Sequence, residues 1–579
     1  MKKYIISAVS ALLALLLAFS FTSCSLSFVV VGGGSIRDPG KVTEKADESG
    51  EGTESKASDE KNRRNDSSLY AEEAEKRLAE LPDYDCEGQN FIIATASKMT
   101  FATDGEDYYD RALLYRDSMV EKRYNVDIVT VFTPENEMAA ALKNARLSGD
   151  YFADAVSVPE YRVGTLVSDG SLMSLRTLPF WDSGSSYTDY ATEAAAVTAI
   201  YADLGAASAD FGRIYAVFYN KDIEKSLGVN LADIAKKGEW TWDEYGRYAL
   251  LATDTLGIAG QGSVYMGDEY TDAVLVSGGL TLIDNAAGRV PKIKFDSEKV
   301  ENAVDTVCAL VYGNPSAYRP KNGTPDEFFD EFGGGRLFMG IAPLYRMADF
   351  SVRNADFGVL PIPKTSAEQT RYYGYTEAAA SVLCVPSDNN KIEMTGYIIN
   401  ALNTASYKYL AEEYKKSSLY NYFRSEEPLE AFDLVTGSIT YDFAYLYSSC
   451  ASLLKDASIG AVREARKSAT STATKLISER ATAANAELER IFGAKKTEDE
   501  TDVKPTTGEA EETKPETPAE TTEPAETAGQ AEQTEQTEQT EQTEQTTEAV
   551  TEKNEVTETK PETETETAER ERKETDENG

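Results

Sequence analysis

The middle of the chain alternates short apolar runs with segments of helical periodicity. Apolar residues recur at helical spacing over Tyr108–Tyr124 and again from Pro134 to about Gly149. The apolar runs that predict strands around them are Asn90–Thr95, Val126–Phe132 and Tyr151–Val158. Strands separated by such helices predict parallel pairing through right-handed crossovers, with binding loops at the carboxyl ends of the strands.

From Lys221 onward the pattern changes to longer helical segments that continue to Phe492. Thr241 precedes Trp242-Asp243-Glu244, which predicts a helix capped by Thr241 with acidic residues in its first turn. The strand-like runs in this part of the chain are Ile214–Tyr219, Leu337–Leu344, Phe357–Pro363 and Ala378–Val385. A chain that leaves an α/β region, builds a helix-rich region and returns predicts two lobes joined by several crossings, which together form a hinge.

The segments divide the chain into six parts. Residues 81–220 are predicted to be mainly the first lobe and 221–345 mainly the second, while 346–495 hold the crossings back, the remainder of both lobes and the last helices. A folded block of this size exceeds what one hydrophobic core usually fills. The segments predicted outside it are a signal peptide at 1–23, a flexible linker at 24–80 and a disordered tail at 496–579.

The N-terminal segment has the features of an export signal. It begins with Met1-Lys2-Lys3, continues with an apolar run from Tyr4 to Phe21 and ends in Thr22-Ser23-Cys24. A positive start, a short apolar stretch and small residues before one position are typical of a secretory signal peptide. No later segment approaches the ~20 apolar residues that cross a bilayer. The body is therefore expected outside the cell.

The C-terminal tail accounts for much of the acidity. Residues 497–579 contain 28 acidic and 7 basic residues, about half of the net charge of −41, and include five Glu-Gln-Thr triplets from Glu532 to Thr546. A segment so charged and so poor in apolar residues is predicted to stay disordered. Because this charge is concentrated in the tail, it does not describe a binding site.

The composition excludes several kinds of chemistry. The chain has no histidine, which removes Ser-His-Asp and Cys-His catalysis and every metal site that needs histidine. The negative charge opposes nucleic-acid binding. We therefore predict no catalytic residues, no metal and no cofactor. The exported location permits up to two disulfides, although apolar surroundings favour buried thiols; the cysteines concerned are Cys86, Cys308, Cys384 and Cys450.

Four motifs in order carry a family resemblance. They are Tyr219-Asn220-Lys221-Asp222 with Gly228-Val229, Trp240–Glu244, Phe338–Tyr345 and Phe357–Lys364. Over residues 88–495 the chain resembles the extracellular solute-binding proteins of bacterial ABC importers, most closely the carbohydrate-oriented family 1. The resemblance implies a periplasmic-binding-protein fold of two α/β lobes, a ligand enclosed between them and delivery to ABC permease subunits.

The Thr22-Ser23-Cys24 ending resembles the bacterial lipobox, which implies a diacylglyceryl anchor on Cys24 at the outer face of the cell membrane; a secreted form without lipid is the alternative. The leading interpretation is a receptor that captures a carbohydrate, an oligosaccharide in particular. The alternatives are a peptide or small-solute receptor of the same fold and a surface adhesion or spacer protein.

Sugar binding requires aromatic faces for the C–H side of the rings and planar polar groups for the hydroxyls. We therefore select aromatic and polar residues at strand ends and crossings, with Tyr372–Glu377 as the strongest group. The predicted ligand-binding residues are Glu160, Tyr161, Tyr219, Asn220, Tyr345, Arg346, Tyr372, Tyr373, Tyr375 and Glu377.

Overall fold

The computed structural model describes residues 69–102, 105, 107–179, 201–280, 282–284, 290–423, 431–468 and 471–493. The predicted signal peptide, Cys24 and the acidic tail lie outside these residues. Within the described ranges, no helix combines the length and apolar composition needed to cross a membrane.

The strands are numbered in chain order. They are β1 (Gln89–Thr95), β2 (Val126–Phe132), β3 (Ala155–Pro159), β4 (Tyr215–Asn220), β5 (Ala259–Ser263), β6 (Ile283–Asp284), β7 (Lys292–Ile293), β8 (Leu337–Pro343), β9 (Phe357–Pro361), β10 (Gly374–Tyr375), β11 (Ser381–Cys384) and β12 (Ile439–Thr440).

The helices follow the same convention. They are α1 (residues 69–80), α2 (Tyr108–Tyr124), α3 (Glu135–Ser148), α4 (Glu160–Ser168), α5 (Lys221–Leu227), α6 (Leu231–Lys236), α7 (Trp242–Leu256), α8 (Met266–Ser277), α9 (Ser297–Val311), α10 (Pro325–Gly333), α11 (Met347–Ser351), α12 (Ile392–Ser406), α13 (Tyr409–Tyr422), α14 (Phe432–Thr436), α15 (Phe443–Leu446), α16 (Ser452–Lys455), α17 (Ala461–Ala465) and α18 (Ala473–Leu488).

The first lobe is built on a four-stranded sheet in the order β11-β3-β1-β2. Strand β1 pairs in parallel with β2, where Gln89 lies opposite Val126, and in parallel with β3, where Ile93 lies opposite Ala155. Strand β11 returns from the second lobe and pairs antiparallel with β3. The predicted parallel α/β arrangement is therefore confirmed for this lobe.

The second lobe has its own four-stranded sheet, in the order β5-β8-β4-β9. Strand β5 runs parallel to β8, whereas β4 is antiparallel to both β8 and β9. Both sheets thus contain one antiparallel strand, which is the strand that arrives directly from the other lobe. The two-lobe α/β fold class agrees with the prediction.

Local sequence sets the boundaries of the helices. Asp107 caps α2 by accepting a hydrogen bond from the N–H of Asp110 at 2.8 Å, and Asn125 ends that helix in the left-handed conformation. Thr241 caps α7 through the N–H of Glu244, as predicted. Helices α2 and α7 therefore begin where a side chain satisfies a backbone donor that the helix itself leaves unpaired.

Three segments meet where the chain passes between the lobes, and we call them the junction: residues 213–215, 374–377 and 438–440. Ile214 forms a β-bridge with Thr376, and β10 pairs in parallel with β12. The N–H of Glu377 donates to the Arg213 carbonyl at 2.9 Å, and the Thr376 hydroxyl donates to the Thr440 carbonyl at 2.8 Å. The predicted multiple crossings are thus joined into one hydrogen-bonded connection.

The structure changes two of the predictions. The first lobe ends at Ile214 rather than at residue 220, because β4 pairs within the second sheet. Residues 69–80 of the predicted flexible linker form α1, whose Ala74 and Leu78 are buried against the first lobe. The cysteines in the described residues are free thiols, as their apolar surroundings favoured, and none forms the disulfides that an exported location permits: Cys86, Cys308, Cys384 and Cys450.

Candidate functional site

In each sheet the three strands that run parallel to one another have their carboxyl ends toward the junction. In the first lobe, Pro159 ends β3 and Glu160 follows it with its N–H donating to the carbonyl of Ala380, which directly precedes β11, at 2.8 Å. In the second lobe, Leu344 follows β8 and its N–H donates to the carbonyl of Ile214 in the junction at 2.9 Å. The loops at these ends therefore flank the junction, and we call the region between them the cleft, since binding loops are expected at such strand ends.

Charged groups at the cleft surround one aromatic ring. Arg213 and Glu377 form an ion pair between the two crossings, with Nη1 and Oε2 2.5 Å apart. The Arg213 guanidinium also lies 4.8 Å from the centre of the Tyr345 ring, and the Arg346 guanidinium lies 5.1 Å from it. Arg346 is fixed in turn by Asp349 at 3.0 Å. The predicted Tyr345, Arg346 and Glu377 are thus brought together, and all remain partly exposed.

A buried aromatic stack supports this surface. The Tyr375 ring stacks on Tyr215 with centroids 4.8 Å apart and lies 5.8 Å from Tyr445. The Tyr215 hydroxyl donates to the Glu269 carboxylate at 3.2 Å. Because Tyr375 is buried between these rings, it supports the junction from below rather than offering an open face to a ligand.

Glu160 is buried beside the junction with one carboxyl oxygen, Oε1, that has no hydrogen-bond partner. Burial raises the pKa of Glu160 well above its ordinary value, and the nearby Asp442 carboxyl adds to the rise. Burial also raises the pKa of Asp442 to about 6, against the hydrogen bond that its carboxylate accepts from the Ala444 N–H. The pair therefore favours a protonated, neutral Glu160 that can donate as well as accept a hydrogen bond.

Tyr161 and its neighbours lie on the first-lobe side of the cleft. The Tyr161 hydroxyl is bonded to the Glu135 carboxylate, and Arg162 donates to the same oxygen from Nη2 at 2.8 Å. The Arg162 guanidinium lies 5.1 Å from the centre of the Tyr161 ring. Tyr161 is thus held in place at the partly exposed end of α4, next to Glu160.

Four predicted residues lie elsewhere. Tyr219 and Asn220 are at the opposite end of β4 from the junction, roughly 17 Å away at about 3.3 Å per residue, because the strand begins at the crossing rather than ending there. Asn220 caps α5 by accepting from the Ile223 N–H at 3.1 Å. Tyr372 is buried and donates to the Ala235 carbonyl at 2.8 Å, while Tyr373 packs against the Arg371 guanidinium.

Two exposed aromatic residues at the sheet edges were not among the predicted set. Phe132 ends β2 and is 50% exposed, and Tyr265 follows β5 and is 63% exposed. Because β5 runs parallel to β8, Tyr265 lies at the same sheet edge as Tyr345. The position of Phe132 at a predicted strand end could have identified it, whereas β5 carries no apolar pattern that would have pointed to Tyr265.

Other missed residues form an ion pair next to the junction residue Tyr375. Asp272 on α8 accepts two hydrogen bonds from Arg463 on α17, at 2.5 and 3.2 Å. Burial raises the pKa of Asp272, although the Arg463 charge opposes the rise. Among the described residues, no group of three or more His, Cys, Asp or Glu side chains is arranged to hold a metal ion. The site thus offers hydrogen bonds, charges and aromatic faces.

No protein-family model and no curated protein matches the chain. Solved structures do match it. An extracellular solute-binding protein family 1 from Alicyclobacillus acidocaldarius is 12% identical, with 71% of this chain and 100% of that chain covered and a TM-score of 0.42. The galacto-N-biose-/lacto-N-biose I-binding protein of a Bifidobacterium longum ABC transporter is 13% identical, with 71% and 99% covered and a TM-score of 0.45.

An ABC substrate-binding protein from Listeria monocytogenes, solved in complex with cycloalternan, is 14% identical, with 70% of this chain and 99% of that chain covered and a TM-score of 0.41. These matched structures belong to the class of proteins that the four sequence motifs resemble.

Proposed function

We propose that the chain is the substrate-binding protein of an ABC importer, which captures a carbohydrate outside the cell membrane and delivers it to permease subunits. The observation that carries the proposal is the partly exposed group of Arg213, Tyr345 and Glu377 on a junction that joins two α/β lobes. The lobes are connected at the junction, so the crossing segments can act as a hinge about which the lobes move when a ligand binds.

The chemistry of this group suits a sugar. The Tyr345 ring supplies an apolar face, while Arg213, Arg346 and Glu377 supply planar charged groups that hydrogen-bond to hydroxyls. Phe132 and Tyr265 add exposed aromatic faces at the edges of the two sheets. Aromatic groups spread between the two lobes favour an oligosaccharide over a single sugar ring.

The proposed binding residues that remain from the predicted set are Glu160, Tyr161, Tyr345, Arg346 and Glu377, joined by Arg213, Phe132 and Tyr265. Tyr375 and Tyr215 support the junction from below instead. Within this proposal the protein binds and releases its ligand unchanged and is not an enzyme, since no acid–base or nucleophile pair is required. Tyr219, Asn220, Tyr372 and Tyr373 serve packing and helix capping instead.

The proposal also includes a lipid anchor on Cys24 and a position at the extracellular face of the membrane. The support is the sequence pattern Thr22-Ser23-Cys24 after an apolar run. Two acyl chains on one residue provide stable anchoring, whereas one chain provides only marginal binding. The residues between Cys24 and α1 would then connect the anchor to the first lobe.

A thermal-shift screen tests the class of ligand. The purified chain is heated with linear and cyclic oligosaccharides of two to six sugars and, in parallel, with peptides of two to six residues. A ligand that binds only the folded state raises Tm. We expect at least one oligosaccharide to raise Tm and the peptides to have no effect. A rise in Tm with peptides and none with sugars would show that the protein is a peptide receptor and not a carbohydrate receptor.

A further inference from the structure

A second cavity lies where α1, α13 and α14 meet. It encloses about 440 Å³, and the lining residues that matter for its chemistry are Tyr70, Arg371, Tyr407, Lys408, Glu412 and Asp433. The volume is within the range of small-molecule pockets in proteins. None of the predicted ligand-binding residues lines this cavity, so it is separate from the cleft.

Arg371 brings an unpaired charge to the cavity. Its guanidinium lies 4.9 Å from the centre of the Tyr373 ring, and its backbone carbonyl is fixed by the Gln369 amide at 2.7 Å. The terminal nitrogen Nη2 is buried and has no hydrogen-bond partner. A buried charged donor without a partner is costly to the fold. Arg371 also lines the cavity, so an anion there would lie beside a guanidinium that has no ion-pair partner among the described residues.

Lys408 enters the same cavity on a strained backbone. Its φ is 58° and its ψ is −33°, and the Tyr409 N–H donates to the Tyr407 carbonyl at 2.7 Å across it. This is a γ-turn with positive φ at its central residue, a rare and strained geometry for a residue with a side chain. Strain of this kind tends to be kept where it serves function. The Lys408 ammonium lies 5.2 Å from the centre of the Tyr407 ring.

The acidic residues of the cavity do not neutralise these two cations. Lys415 lies 2.8 Å from the Asp433 carboxylate and 3.7 Å from the Glu412 carboxylate, so both acids share that ammonium. The ion pairs of the described residues include neither Arg371 nor Lys408. The lining of the cavity therefore combines two cations without ion-pair partners in the described part of the chain, two tyrosine rings and two carboxylates that share one ammonium.

We propose that this cavity binds the oxyanion of a small ring-bearing molecule, with the carboxylate or phosphate held by Arg371 and Lys408 and the ring against Tyr70 or Tyr407. Guanidinium and ammonium groups are the usual partners of both anions. Arg371 is three residues before β10, and Gly437, which also lines the cavity, is two residues before β12. The lining of the cavity thus includes residues that come shortly before each of these two strands.

Calorimetric titration tests the proposal with three probes: glucuronate, glucose 6-phosphate and glucose. The parent chain is compared with Arg371→Gln and Lys408→Gly. Glycine accepts the positive φ at position 408, so Lys408→Gly removes the ammonium without harming the turn. Lys299→Gln, on the exposed face of α9, is the matched control. We expect at least one anion to bind the parent and the control alike, with Kd at least tenfold weaker in both cavity variants.

Glucose has the ring without the oxyanion, so any binding of glucose is expected to be insensitive to both substitutions. The relative affinity of glucuronate and glucose 6-phosphate identifies which anion the cavity prefers. The proposal is overturned if neither anion binds the parent, if both variants bind the anions as tightly as the parent, or if glucose loses affinity as the anions do. Each result is independent of whether an oligosaccharide binds in the cleft.

Discussion

Arg213 and Glu377 form an ion pair at 2.5 Å, although they lie 164 positions apart and on two different crossings between the lobes. The Glu377 N–H also donates to the Arg213 carbonyl, so side chain and backbone join the same two residues. Both side chains are about one-third exposed, Arg213 at 34% and Glu377 at 28%. The pair is thus placed to hold the two crossings together and to contact a ligand in the cleft.

Replacing Glu377 with Gln should weaken sugar binding by about tenfold, because a charge-assisted hydrogen bond contributes about 1.5–3 kcal/mol. The free energy of unfolding should change by less than about 1 kcal/mol, since the ion pair is partly exposed. Calorimetry and urea denaturation measure the two effects. Glu331→Gln, which breaks a surface pair with Arg336, is the control and should leave binding unchanged. If Glu377→Gln binds the sugar as tightly as Glu331→Gln does, Glu377 is not part of the binding site.

Tyr345→Ala should weaken oligosaccharide binding by about fivefold, because the stacking of one ring contributes about 1 kcal/mol. The measurement is Kd by calorimetry at constant salt. Tyr420→Ala is the matched control, since Tyr420 on α13 is 76% exposed and lies outside the proposed site. If the two substitutions have the same small effect, Tyr345 does not stack on the ligand.

Asp203 should make stability depend on pH. Burial raises its pKa to about 7, although the Asn403 amide and the Gly205 N–H both donate to its carboxylate. The ordinary pKa of Asp is about 3.9. Between these values the folded chain keeps a proton that the unfolded chain has released, so stability falls as the pH rises from about 4 to about 7.

Asp203→Asn replaces the titrating carboxyl with a group that is neutral at every pH. We therefore expect Tm to fall less for this variant than for the parent between pH 5 and pH 8. Asp210 and Asp442, whose pKa values burial raises to about 6, contribute to both proteins alike. Asp243→Asn, an exposed change in the first turn of α7, serves as control. If Tm changes with pH in the same way for the parent and for Asp203→Asn, Asp203 does not titrate in this range.

Cys24→Ala should release the protein from the membrane into the medium, because the proposed lipid attaches at that thiol. Cell fractionation with detection of the folded body measures the distribution. Cys308→Ser, which changes a free thiol on α9, should leave the protein with the membrane. Retention of Cys24→Ala as tight as that of the parent would contradict the anchor.

Strong periodicity made much of the fold predictable. The helix at Tyr108–Tyr124 and the strand at Val126–Phe132 have the predicted bounds, since apolar spacing and caps agree there. Strand β5 was not predicted, because its sequence, Ala259–Ser263, contains two glycines and therefore shows no apolar strand pattern. A Cβ at Gly260 would lie 1.9 Å from the Ala249 carbonyl oxygen, and one at Gly262 would lie 2.7 Å from Tyr318. Close packing against α7 and against Tyr318 therefore selects glycine where a strand pattern would show apolar residues.

The candidate site was less accessible to prediction, because its residues come from distant parts of the chain. Strand ends identified Glu160 and Tyr345, and an aromatic and acidic cluster just before a strand identified Glu377. Nothing local marks Arg213 as the partner of Glu377. Tyr372 and Tyr375 have similar sequence surroundings, yet Tyr372 packs in the second lobe and Tyr375 at the junction. The environment of each tyrosine depends on how the crossing segments pair with one another, which the local sequence does not indicate.

Calorimetric titration of linear and cyclic oligosaccharides into the parent chain and into Arg213→Gln tests the central claim most directly. The account predicts that at least one oligosaccharide binds the parent with a Kd that Arg213→Gln weakens at least tenfold, because the guanidinium supplies charged hydrogen bonds in the cleft. Absence of heat from every sugar, together with clear binding of a peptide, would contradict it. So would a sugar that binds both proteins with equal affinity.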